Sequence, residues 1–78
     1  MSTASPNTAA VEYLARLAET KYLIVQIMQQ LAVHTKQQHK SPAHWGFVGD
    51  LGHVNEQLAY ALASLGDHSA LRRMGLPS

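Results

Sequence analysis

From Thr8 to about Gln38 the chain carries neither glycine nor proline, and its apolar residues recur at intervals of three and four. On a helical wheel Ala10, Tyr13, Leu14, Leu17, Ile24, Val25, Ile27, Met28, Leu31 and Ala32 gather on one broad face. Glu12, Arg16, Glu19, Gln26, Gln30 and Gln37 occupy the opposite one. Ala, Leu, Gln, Glu and Lys dominate the stretch, and these are the residues that lose least on entering a helix. The pattern predicts one helix over about 8–38, roughly 45 Å long. A single packed face needs an apolar stripe roughly 100° wide. The face bracketed by Ile27 and Val11 is about twice that, so this helix is expected to touch more than one neighbour. The small polar residues 1–7, with Pro6 among them, read as a flexible leader that ends in a helix cap at Asn7 or Thr8.

Ser41 followed by Pro42 is a favourable N-cap and first-turn pair, which predicts a second helix over about 42–65. Its core face would be Phe47, Val48, Leu51, Val54, Leu58, Leu62 and Leu65, with Gly66 as the left-handed stop. Gly46, Gly49 and Gly52 fall inside that helix at about 1 kcal/mol each relative to Ala. Gly49 and Gly52 share a flank with Ala59 and Ala63, and close approach of another helix there is the expected compensation. The competing reading is an irregular segment from Lys40 to Gly49, with Asp50 as the N-cap. Asp67 then caps a short third helix over about 68–74, which Gly75 and Pro77 close.

These elements predict an all-α fold in a single helical domain over 8–78. Its form would be an antiparallel helical hairpin with a short C-terminal third helix. Two wide apolar faces cannot bury each other in so small a unit, and a symmetric dimer is the commonest way to cover them. The expectation is therefore a homodimer with a four-helix-bundle-like core. Size points the same way. A chain of 78 residues sits where one core barely offsets the entropy of ordering it. With no cysteine, disulfides cannot supply the difference.

Composition then narrows the function classes. The formal charge is +1, from six Lys and Arg against five Asp and Glu, so no strong field draws the chain to nucleic acid or anionic lipid. The longest aliphatic and aromatic run is Tyr22 to Val25, far short of the roughly 20 residues that span a bilayer. No basic segment followed by an apolar stretch opens the chain. The expectation is a cytoplasmic protein with no membrane partner.

Five histidines raise the question of a metal, but His34, His39 and His44 are spaced by five. Helical ligand pairs share a face only at three or four. No metal and no cofactor is expected. Asp50, His53, Gln57, Tyr60 and Ser64 follow the helical repeat and could form a proton-transfer stripe, yet any solvated helix face has that spacing. The acids at 12, 19, 50, 56 and 67 are too scattered to hold magnesium, and the glycines match no phosphate-binding loop. No catalytic residue is assigned, and the pattern points away from an enzyme.

Lys21 stands out because it falls within the apolar face of the first helix, among Leu14, Leu17, Ile24 and Met28. A lysine there must snorkel, pair or line a cavity. Asn55 and Glu56 are the candidate partners, and a contact of this kind can fix register and oligomeric state. Trp45 and Phe47 either plug the end of the bundle or present an anchor to another protein. Lys36 and Lys40 near the turn, with Arg72 and Arg73 on the last helix, are the candidate nucleic-acid contacts. The first functional reading is a non-catalytic homodimeric interaction or regulatory module. The alternatives are a small nucleic-acid-binding regulator, and a ligand binder or enzyme with a pocket inside the bundle.

Overall fold

The structure of the chain, a computed structural model, describes residues 6–77. It is all-helical among them, with α1 at Pro6–Lys40, α2 at Gly46–Ser64 and α3 at Ser69–Met74. The chain divides between His39 and Lys40 into two units. The first is the body of α1, and the second contains α2 and α3.

α1 is two residues longer at each end than the sequence pattern predicts. Pro6 and Asn7 lie inside it, not in a leader, and the rest of the expected leader lies outside the described residues. Proline suits a first turn because its φ is already helical and its missing N–H would have had no partner there. At the other end nothing breaks the helix until Ser41, whose position before Pro42 disfavours helical backbone. The 35 residues span roughly 52 Å. Thr20 and Thr35 fit within α1 by donating their hydroxyls to the carbonyls of Arg16 and Leu31, at 2.9 and 2.8 Å.

The second helix starts at Gly46, which corrects both sequence-based alternatives for its beginning. Ser41 and Pro42 open a turn instead of a helix: the His44 amide donates to the Ser41 carbonyl at 3.1 Å. Serine at the first position and proline at the second are also the preferred residues of such a turn. The His44 side chain then substitutes for a conventional cap. Its Nδ1 accepts the Gly46 N–H at 3.0 Å, satisfying one of the donors that a helix start leaves open. A Cβ at residue 46 would lie 2.6 Å from the His44 ring, so glycine is what permits this approach. Gly49 does not belong to a loop, and Asp50 is not a cap, since both are inside α2.

The two later stops match the expectation. Gly66 has φ +101° and Gly75 φ +69°, the left-handed conformations that end α2 and α3. Around Gly66, the Asp67 amide donates to Leu62 and the Gly66 amide to Ala63. Around Gly75, the Leu76 amide donates to Leu71 and the Gly75 amide to Arg72. Asp67 braces the start of α3 by accepting the Ser69 amide at 3.0 Å and the Ser69 hydroxyl at 2.6 Å.

Folding α3 back against α2 buries Ala59 and Leu71 to 2% and 1% exposure. The Tyr60 hydroxyl donates to the Pro77 carbonyl at 2.9 Å and ties the segment after α3 to α2. The close approach expected along the small-residue flank therefore occurs at Ala59, where α3 supplies it. At Gly49 and Gly52 a Cβ would meet open space beyond the helix's own backbone.

Candidate functional site

The dominant surface feature of α1 is the apolar face that the wheel outlines. Tyr13, Leu14, Ile24, Val25 and Met28 are exposed, and of that face only Leu17 is half-buried. Lys21 stands exposed in the middle of this face. Val11, Tyr22 and Val33 extend the exposed surface beyond the predicted arc. Within α1, Arg16 pairs with Glu19 at 3.3 Å, one turn apart and well hydrated. Such a pair adds little stability.

In the second unit, Ala59 is buried and Ala63 half-buried, whereas Val48, Leu51, Leu58 and Leu62 of α2 and Leu65 just beyond it remain exposed, Leu65 to 82%. Asn55 and Glu56 are exposed on α2. Trp45 is 80% exposed at the head of α2. Phe47 is half-buried and meets His44 in a tilted ring contact, with centroids 5.4 Å apart. His44 thus serves Gly46 through its nitrogen and Phe47 through its ring.

The candidate basic residues are all exposed. Lys36 and Lys40 lie in the last turns of α1, and Arg72 with Arg73 in the last turn of α3. Among the described residues no group of three or more His, Asp or Glu side chains is placed to hold a metal ion. The polar stripe on α2 is partly used in structure: Tyr60 is tied to Pro77, and Ser64 donates to the Tyr60 carbonyl at 3.1 Å. No polar side chain is buried among the described residues. The Asp67 carboxyl is held below its ordinary value of 3.8 by the Ser69 hydroxyl and amide that donate to it. None of these arrangements brings together a nucleophile, a base and an electrophilic donor.

Sequence reasoning did not anticipate the His44 cap or the Tyr60 to Pro77 link. The first had a signal, a histidine two residues ahead of a glycine where a cap was needed. The second joins residues seventeen apart through a main-chain carbonyl, and no residue type at position 77 marks it. Among the described residues no helix is long and apolar enough to cross a membrane. The chain matches no protein-family model, no curated protein and no solved structure.

Proposed function

We propose that the chain is a non-catalytic helical interaction module that acts as a homodimer. The observation that supports this reading is the long apolar face of α1, exposed over about five turns, while among the described residues the buried apolar ones are Ala59 and Leu71. Contiguous apolar surface on this scale marks a site of association. In the assembled form α1 and α2 make an antiparallel hairpin, and two hairpins share a four-helix-bundle-like core. The exposed side of α2, from Val48 to Leu65, contributes the second wall of that core. Trp45, with its ring in solvent, is the anchor offered to a further protein. A cysteine-free, weakly charged chain suits work in a reducing cytoplasm.

Sedimentation equilibrium at micromolar concentration tests the proposal. The expected mass is twice the 8.5 kDa of one chain. A helical species that stays at the mass of one chain across the concentration range overturns it.

A further inference from the structure

We infer that His44 is a proton-sensitive latch on the first turn of α2: the neutral imidazole holds the turn closed, and the imidazolium releases it.

His44 serves the start of α2 in three ways. Its Nδ1 accepts the Gly46 amide at 3.0 Å. Its carbonyl accepts the Phe47 amide at 3.4 Å, and its ring lies 5.4 Å from that of Phe47. Trp45, enclosed between the two ends of the latch, makes no side-chain cap of its own and is held at φ −66° and ψ −16°, already helical. The fit is close enough to restrict the sequence. A Cβ at residue 46 would stand 2.6 Å from Cε1 of the ring and 2.8 Å from Nδ1. Glycine is a poor helix residue, and here its bare Cα is what lets the imidazole reach the amide.

The bond is conditional on charge. To accept, Nδ1 must keep its lone pair, which puts the hydrogen of the neutral ring on Nε2. The imidazolium carries a hydrogen on both nitrogens and has no acceptor left. A proton taken from solvent therefore turns Nδ1 from the partner of the Gly46 N–H into a second donor facing it. It also brings positive charge to a helix end whose open N–H groups already make the field positive, and no acidic residue stands in that first turn to offset it. Imidazole is the side chain that ordinarily makes this change between about pH 8 and pH 5.

The turn is poised to respond. Gly46, Gly49 and Gly52 fall within the first seven residues of α2, and each weakens the helix relative to alanine. Loss of one neutral hydrogen bond in water shifts the balance of closed and open turn by about 3- to 10-fold. The titratable residues nearest in sequence within this unit are Lys40 before the turn, and Asp50 and His53 further along α2. A carboxylate favours the arrival of a proton and a cation opposes it, but neither changes what the proton removes. A partner that reads Trp45 as an anchor would lose the fixed geometry around it in acid. That consequence rests on the interaction-module reading; the latch itself does not.

Nuclear magnetic resonance of the full chain between about pH 8 and pH 5 tests the latch. At the upper end the His44 Nδ1 and the Gly46 amide nitrogen should show a scalar coupling across their hydrogen bond. As the pH falls, the coupling should disappear in step with the His44 ring resonances. The Val48 and Gly49 amides, which donate to the Trp45 carbonyl, should then lose exchange protection by about 3- to 10-fold after correction for the intrinsic pH dependence of exchange. His44→Asn separates the latch from other titrations, because a carboxamide oxygen accepts the amide two residues on and does not titrate. In this variant the protection of the turn should be the same at both ends of the range, whereas His53→Gln should respond as the natural chain does. A response that persists in His44→Asn, or vanishes in His53→Gln, overturns the proposal. So does absence of the coupling at the upper pH, or its loss with protection unchanged, both read on the natural chain whatever the variants do.

Discussion

Leu71→Ala tests how α3 is held, because Leu71 is the one large side chain among the described residues that is fully buried. The substitution removes three carbon groups from contact with α2, and at about 0.8 kcal/mol per group the transfer term is near 2.4 kcal/mol. A cavity adds to this in a rigid core, where Leu→Ala costs about 2–5 kcal/mol. Here the neighbours Ala70 and Leu76 are only half-buried, so they can close over the gap and the cavity term stays small. The expected cost is about 2–3 kcal/mol, a shift of roughly 30- to 150-fold in the equilibrium between docked and undocked α3. α3 has six residues, so circular dichroism will scarcely register the loss. Amide hydrogen exchange will, because the amides of Arg72, Gly75 and Leu76 donate to His68, Arg72 and Leu71 within this element. Their protection should fall by that factor while the amides in the middle of α1 keep theirs. Arg73→Ala, at an exposed position of the same helix, is the control and should leave protection nearly intact. If Leu71→Ala leaves these three amides protected, the packing of α3 on α2 does not depend on Leu71 and the reasoning is refuted.

Gly52→Ala should raise the melting temperature, since a Cβ there enters open space and α2 gains about 0.5–1 kcal/mol of helix preference. A lowered melting temperature would instead reveal another helix packed against that flank. Lowering the pH should loosen the start of α3 through Asp67. Its folded pKa is depressed by the Ser69 donors, so its contribution is present above the ordinary value of 3.8 and is lost as pH falls through the lower folded value. The Ser69 amide resonance, followed by NMR, should report this transition, and Asp67→Asn should abolish it. An unchanged Ser69 resonance across that range would show that the carboxylate does not brace the turn.

The three helices were legible because each has its own local punctuation. After Pro6 in its first turn α1 contains no breaker, and Gly66 and Gly75 supply left-handed stops that other residues adopt only with strain. Asp67 precedes α3 with a serine at the distance its carboxylate can reach. The start of α2 was not legible, because Ser41 and Pro42 satisfy two grammars equally. Serine then proline opens a helix, and the same pair opens a turn. What decides between them is His44, whose ring nitrogen can hold the Gly46 amide only if the chain turns first.

The same asymmetry governs the candidate surfaces. Periodicity reports which side chains share a face of α1, and Leu14, Ile24 and Met28 of that face are exposed. Periodicity says nothing of what lies opposite. The small-residue flank of α2 illustrates this: Ala59 is buried against α3, and a Cβ at Gly49 or Gly52 would stand in open space, though all carried the same sequence signal. Lys21 carries more information than its apolar neighbours for this reason. Any isoleucine or leucine can face any other, so apolar positions tolerate many registers and both orientations. A lysine within that apolar face penalises every arrangement that sets a second ammonium beside it or closes its route to water. The residue that fits the apolar pattern least is therefore the one that discriminates most among the ways the pattern can be completed.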